Sequence, residues 1–338
     1  MCGLTGYITP FNRELDTLQI VARTEIFKDL LELMDFRGGH ATGVFVGDKY
    51  KQGAIIKDTV DASLFLKENS YGIDWQSEII LGHTRFATHG NANKIDNAHP
   101  WRYGNLVGMH NGVIYNYKEL AEQNGLVIPE VDSQVLFGLM GLQGWTPDRL
   151  LEEIEGTATI VWHDKESNTV QFARHDNPLT LYRVPELGNT IFYASTKKAL
   201  DLTFTGTRLE THVIEMDDLD ILTVNLEDGE IDKTHVKKVL YQYGSYTASL
   251  YRPTLSDYEM YGTMPDNDAE LLKKTKEEED AEDMYWDMVS SYNPPKGYPL
   301  FGECDYCGQT AYVKIDVDER LELPPSTICE TCNDYPLG

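Results

Sequence analysis

The five cysteines of this 338-residue chain fall into two groups, and each group suggests its own chemistry. Cys2 stands alone in MCGLTGYITP, and the next thiol is Cys304. Once Met1 is removed, Cys2 carries an α-amine and a thiol on one residue. The reference pKa is about 7.7–8.0 for such an amine and about 8.5 for a thiol. The amine can therefore take the thiol proton near neutrality and activate the sulfur, directly or through water, with no histidine base. The plainer reading makes Cys2 a small apolar residue at a strand start. Its position alone does not decide between the two.

The other four thiols form two C-x-x-C knuckles, CDYCG (Cys304, Cys307) and CETCN (Cys329, Cys332), separated by the 21 residues 308–328. Four thiolates at this spacing can close a tetrahedral zinc site. A segment of about 40 residues with few aliphatics buries too little surface to fold alone, so a metal would supply the missing energy. Such a closed site is structural, and the ribbon around it is expected to be an interaction module. An Fe–S centre or a redox dithiol is the alternative.

The elements that must position Cys2 are legible as hydrophobic periodicity. GLTGYITP, ATGVFVG, GAIIKD and EIILGHTRFAT read as strands, and TLQIVARTEIFKDLLELMDF has apolar residues at helical spacing. NLVGMHNGVIYN reads as two strands hinged at Asn111-Gly112, a strong turn signal. YKELAEQNG is a short helix stopped by Gly125, and DSQVLFGLMGLQG is a helix with Asp132 near its start. TPDRLLEEIEG is a third, with Thr146 as N-cap and Pro147 at the first helical position. TATIVWHD, TVQFARHD, LTLYRV and TIFYAS follow as four β signals in a row, and DILTVNLEDGEIDKTHV reads as a hairpin turning at Asp228-Gly229.

The composition changes after this stretch. The expected organisation is a mixed α and β domain over 2–240, an exposed acidic Tyr-rich linker over 241–299, with a solvated helix over DAELLKKTKEEEDAEDMYWDM as the alternative, and a four-cysteine unit over 300–338. The chain has 29 basic and 55 acidic residues, a net charge of −26. That field repels phosphate backbones and anionic membranes, which disfavours nucleic acid and membrane partners. No long apolar run or secretory leader is visible, so a soluble, cytoplasmic protein is expected.

MCGLTGYI, GHTRFATHG, NAHP, HNGVIYN and DSQV occur in the order and approximate spacing of the class II glutamine amidotransferases, which are N-terminal-nucleophile hydrolases. The resemblance covers 2–240 and is nearest to the glutaminase domain of glucosamine-fructose-6-phosphate aminotransferase. It implies an α+β fold, a four-layer αββα sandwich of two mainly antiparallel sheets between helical layers, with the C-terminal zinc ribbon appended. It also implies a glutaminase: Cys2 attacks the side-chain amide of L-glutamine, ammonia leaves, and water hydrolyses the γ-glutamyl thioester. That chemistry needs no metal, so zinc is expected only as a structural cofactor.

The resemblance assigns roles residue by residue. Arg85 would pair the substrate carboxylate, for which a guanidinium fork is suited; a plain ion pair is its alternative. Asp132 would bind the substrate ammonium, or cap the following helix, or both. Thr88 and His89 would complete the carboxylate side of the pocket, or merely shape the turn. Asn111, through its side-chain amide, and Gly112, through its N–H, would form the oxyanion hole. His99 and His110 are expected to be packing residues. Two positions depart from the pattern: Phe86 stands where tryptophan is common, and His40 where an aspartate is usual, which leaves the contacts of the loop around Arg37 open.

Members of the family pass ammonia to a synthase domain, and nothing after residue 240 has the length or pattern of one. The acceptor site is therefore expected on a separate synthase subunit docked by the tail and ribbon. The competing readings are a catalytically silent scaffold that acts through its ribbon, and an acyl-amide hydrolase of the same architecture. The pair Arg85 and Asp132, suited to the two charges of a free amino acid, disfavours the second.

Overall fold

The computed structural model describes residues 2–49, 53–87 and 90–237, and the backbone strands 300–303, 310–316 and 326–329. In chain order the first sheet takes β1 (Gly3–Ile8), β2 (Ala41–Gly47), β3 (Ala54–Asp58), β4 (Ile79–Arg85), β9 (Thr180–Val184), β10 (Thr190–Ala194) and β11 (His212–Ile214). The second takes β5 (Trp101–Tyr103), β6 (Leu106–Ile114), β7 (Gly156–Asp164), β8 (Thr169–His175), β12 (Asp220–Asn225) and β13 (Ile231–His235). Their orders are β11-β9-β10-β1-β4-β2-β3 and β13-β12-β8-β7-β6-β5. Every neighbouring pair in both sheets is antiparallel.

Strand alternation builds two cores. Leu4, Phe45 and Leu81 of the first sheet pack with Met109, Val161 and Phe172 of the second. The neighbours of Val161 in sequence, Ile160 and Trp162, face the opposite way into a second core. That core is completed by α3 (Tyr117–Gln123), α4 (Ser133–Gln143) and α5 (Pro147–Glu153), through Leu120, Leu136, Phe137 and Leu150. The first sheet carries α1 (Thr17–Met34) and α6 (Lys197–Phe204) on its other face. Phe27 of α1 meets Tyr7 edge to face at 5.8 Å. A side chain at Gly82 would come within 3.1 Å of Leu31 and 3.2 Å of Phe27, so glycine sets how closely α1 approaches β4.

α1 begins with a capping box: Gln19 N–H donates to Asp16 at 2.8 Å, and Asp16 N–H donates to Gln19 Oε1 at 2.9 Å. The strand and helix signals read from 2–240 all correspond to elements, with two differences. Asn111-Gly112 is no hinge: β6 runs unbroken from Leu106 to Ile114, paired with β7 along its whole length, with Asn111 opposite Thr159 and Gly112 opposite Ala158. An Asn-Gly turn needs both residues free of ladder partners, and here β7 claims them. Thr146 occupies the N-cap position of α5 but makes no side-chain cap, so Pro147 alone sets the start. The four successive β signals are divided, two to each sheet.

Two helices carry no sequence expectation, α2 (Ala62–Asn69) and α6. Each has only eight residues and starts on a side-chain cap, Asp61 to Leu64 N–H and Thr196 to Ala199 N–H. Near the C-terminus, β14 (Leu300–Glu303), β15 (Thr310–Asp316) and β16 (Ser326–Cys329) form a small antiparallel sheet in that order. The acidic segment 241–299, and Cys304, Cys307 and Cys332, lie outside the described residues, and of Cys329 only the strand backbone is described.

Candidate active site

Cys2 immediately precedes β1, and β1 lies between β4 and β10. The glycine after it has a packing reason: a side chain at Gly3 would come within 2.6 Å of Met34 Cβ and 2.9 Å of its carbonyl oxygen. The Cys2 sulfur is held by one residue at the end of β4. Phe86 N–H donates to Sγ at 3.2 Å, and the thiol donates back to the Phe86 carbonyl at 3.4 Å. Burial pushes the Cys2 thiol up; the Phe86 N–H, Arg85 and Arg37 pull it down.

The Cys2 carbonyl oxygen accepts from two side chains, Arg37 Nε at 3.0 Å and Asn111 Nδ2 at 2.7 Å. Asn111 Nδ2 gives its second hydrogen to Ser195 Oγ at 2.9 Å, and Ser195 Oγ also accepts from Leu4 N–H at 2.8 Å. The Asn111 amide is thus fixed in orientation with both hydrogens engaged, and it can meet an oxyanion only by releasing one of them. Asn177 Nδ2 donates to the Asn111 carbonyl at 2.9 Å. Gly112 has φ 135°, a region that favours glycine, and a Cβ there would collide with the Thr157 carbonyl.

Asp132 is 2 % exposed and does not cap α4, although it sits at the N-cap position. Its Oδ2 instead accepts from Ile114 N–H at 2.8 Å, which ties it to the end of β6. Arg85 is equally buried and donates from Nη1 to the Asn91 carbonyl at 3.2 Å. Burial pushes Arg85 down, and the charges of Cys2 and Asp132 pull it back up, so one guanidinium lies within electrostatic reach of both. Cys2, Arg85, Asn111, Gly112 and Asp132 are therefore brought together where β1 begins, where β4 ends and along the second half of β6. Thr88 and His89 lie outside the described residues.

The two histidines expected to pack are both buried behind this group. His110 Nδ1 is 2.8 Å from Ser133 Oγ, whose hydroxyl lies 3.4 Å from Asp132 Oδ1. His99 packs between His83, with ring centroids 3.9 Å apart, and Trp101 at 4.0 Å, both rings tilted against it. Burial lowers the pKa of all three, His83 to about 3, so this layer is neutral. Sequence reasoning gave no role to Ser195, the last residue of TIFYAS, or to Asn177, which falls between TVQFARHD and LTLYRV. Among the described residues, one group has ligand atoms close enough for a metal: His175, Asp176 and Asp218. Its His175 Nδ1 to Asp218 Oδ2 contact of 3.5 Å is also satisfied by a simple histidine–carboxylate pair.

Residues 68–235 match the family model of the glutamine amidotransferase domain. A glutamine–fructose-6-phosphate aminotransferase (isomerizing) from Streptococcus mutans is 30% identical over 196 residues, covering 54% of this chain and 30% of that protein. The protein of the same name from Haemophilus ducreyi is 28% identical over 193 residues, with the same coverage. The chain spans about a third of the length of these relatives. In fold it is similar to a glutamine phosphoribosylpyrophosphate amidotransferase from B. subtilis, with a TM-score of 0.55 and 19% identity over 71% of this chain and 50% of that one. Motif order, site geometry, family match and fold agree: the chain carries a glutamine amidotransferase domain of class II.

Proposed function

We propose that this protein is a glutaminase that delivers ammonia to a synthase site on another polypeptide. The observation that carries this reading is the meeting of five residues where β1 begins, β4 ends and β6 passes alongside. The Asn111 amide touches Cys2 at 2.7 Å, Gly112 follows it, and Arg85 and Asp132 lie buried alongside with opposite charges. With Met1 removed, the α-amine of Cys2 takes the thiol proton. The thiolate attacks the amide carbon of glutamine, and the oxyanion is met by Asn111 Nδ2 and the Gly112 N–H. For this the Asn111 amide exchanges one of its present acceptors for the oxyanion. Collapse expels ammonia, which leaves with the proton held by the amine. A water then gives a proton to the amine and hydroxide to the thioester carbon, releasing glutamate and restoring the thiol. Arg85 binds the substrate carboxylate and Asp132 its ammonium, with Thr88 and His89 completing the carboxylate side.

The architecture is that of a four-layer N-terminal-nucleophile sandwich, with helices α1 and α6 on one sheet and α3–α5 on the other. The four late cysteines hold a structural zinc. The strand topology supports this: β14 ends immediately before Cys304 and β16 ends on Cys329. Both are antiparallel to β15, so both strands run in the same direction into their knuckles, with Glu303 opposite Thr310 and Cys329 opposite Val313. Four thiolates fill zinc's coordination sphere, so the site leaves no position for substrate. The names of the relatives pair glutamine with fructose-6-phosphate or with phosphoribosylpyrophosphate. Here the acceptor site belongs to a separate subunit, docked by the acidic segment and the ribbon, in the cytoplasm. No described helix is long and apolar enough to cross a membrane.

Incubation with glutamine, following glutamate and ammonia, tests the reaction. Equimolar release that Cys2→Ala abolishes is expected, with intact mass showing the loss of Met1. No Cys2-dependent release, with or without a co-purified partner, would sink the enzymatic reading. Unchanged capture of the partner after deletion of 244–338 would sink the docking role.

A further inference from the structure

The loop 35–40, between α1 and β2, carries two residues toward Cys2. Arg37 reaches its carbonyl, and His40 reaches something less direct. His40 N–H donates to the Arg85 carbonyl at 3.0 Å, and Ala41 pairs with Arg85 in the β2–β4 ladder. A Cβ at Gly38 would lie 2.5 Å from the Arg85 carbonyl carbon and 2.6 Å from Phe86 N, so the two backbones are in direct contact. From this fixed base the His40 ring stacks on Phe86, with centroids 5.0 Å apart and planes at 25°. Its Nδ1 accepts from Ala87 N–H at 3.0 Å.

Ala87 N–H and the Phe86 carbonyl belong to the same peptide group. That group is planar, and its N–H and C=O point in opposite directions. One end is held by the His40 imidazole, and the other accepts the Cys2 thiol at 3.4 Å. The same residue's N–H donates to the sulfur at 3.2 Å. Any tilt at Ala87 N–H is therefore passed to the oxygen that holds the thiol. His40 is exposed, so core packing does not account for it. His40 and Phe86 are also the two positions where the sequence departs from the pattern it otherwise resembles, and they meet in this contact.

We infer that His40 is a positioning residue for the Cys2 thiol, acting through the Phe86–Ala87 peptide. The inference rests on the reading of Cys2 as the nucleophile, but its test does not need turnover. Two readouts are taken on the full chain. One is the rate of iodoacetamide alkylation of Cys2, read by mass on the N-terminal peptide so that the late cysteines do not interfere. The other is glutamine kcat and KM.

His40→Phe keeps the stack and removes the acceptor. It is expected to raise the alkylation rate and lower kcat, each by about three- to tenfold, the worth of one hydrogen bond, with KM unchanged. His40→Ala should do at least as much, and His40→Asn, which restores an acceptor oxygen, should recover most of the loss. Thermal melting checks that each variant is folded. Wild-type alkylation in folded His40→Phe overturns the inference, as does a His40→Asn protein that behaves like His40→Phe. If the wild type turns over no glutamine, the glutaminase reading fails while the alkylation series still decides the role of His40.

Discussion

The two sheets contribute unlike halves to the site. The first supplies Cys2 and Arg85, held largely from loops: Phe86 beyond β4, Arg37 before β2 and Asn91 beyond Phe86. The second supplies Asn111 and Gly112 from inside a paired strand, and holds Asp132 through the N–H of Ile114 in that same strand. The thiol side is held mainly by loop residues, whereas the side that would meet the oxyanion and the substrate ammonium is held by a paired strand. A nucleophile has to move toward carbon during the reaction. Donors that stabilise developing charge work best when they are already in place. The division of labour between the sheets follows that requirement.

The sharpest way to break this comparison is on the paired-strand side. Asn111→Ala should lower kcat by about 10²–10³, as for loss of an oxyanion donor. It also removes a bond to the Cys2 carbonyl, so Cys2 alkylation serves as a control for misplacement of the thiol. An Asn111→Ala enzyme within threefold of wild type in kcat would mean that the amide is only a structural tie. Asp132→Asn keeps an oxygen for Ile114 N–H and loses the charge. Its glutamine KM should rise by roughly 30-fold or more, the scale of breaking a buried charge pair, with a smaller change in kcat. An equal fall in kcat and no change in KM would assign Asp132 to the chemistry instead.

A smaller effect concerns the neutral histidines between the halves. Burial pushes His83 down to about 3 and His163 to about 4, and lowers His99 in the same direction. In the unfolded chain these rings titrate near 6.5. Above that pH both states are neutral and the full stability is present. As the pH falls below it, the unfolded state binds protons that the folded state refuses, so stability declines toward the folded pKa values. Each such histidine costs about 1 kcal/mol per pH unit in that window. The denaturant midpoint should therefore drop between about pH 7 and pH 5, and His99→Phe should make the slope shallower. A midpoint that is flat with pH would mean that these rings are charged or accessible in the fold.

The smallest effect expected on turnover comes from the far end of the chain. On the proposed zinc site, a chelator should expose 300–338 to protease while leaving glutaminase turnover within about twofold, because the proposed metal takes no part in glutamine hydrolysis. Parallel loss of activity would tie the two parts together.

The sequence made the chemistry more legible than the scaffold. Cys2, Arg85, Asn111, Gly112 and Asp132 were marked as candidates by the motif order of the family resemblance, and the structure brings them together. Ser195 and Asn177 were not, since their contacts to Asn111 join residues 84 and 66 positions apart and neither residue type signals a partner. Asn111-Gly112 misled for a related reason: the turn preference is local, and the pairing with β7 that overrides it is not. The hairpin at Asp228-Gly229 was readable because both of its strands are close in sequence, and Gly229 has the expected positive φ of 78°. α1 was readable from 18 residues of periodicity, whereas the eight-residue α2 and α6 offer too few turns for a pattern to stand out.

The bond from Ile114 N–H to Asp132 has a consequence for how such a chain can change length. Asn111, Gly112 and Ile114 lie within four consecutive residues of one strand, so three site functions share a single register. Inserting one residue there would turn every following side chain to the opposite face and displace both donors and the anchor of Asp132 together. Length variation is instead admissible between α3 and α4. There Val127 is 90 % exposed and Gly125 has open space around its Cα. Insertions near 125–128 should be absorbed by the loop, and a one-residue insertion after Met109 should not.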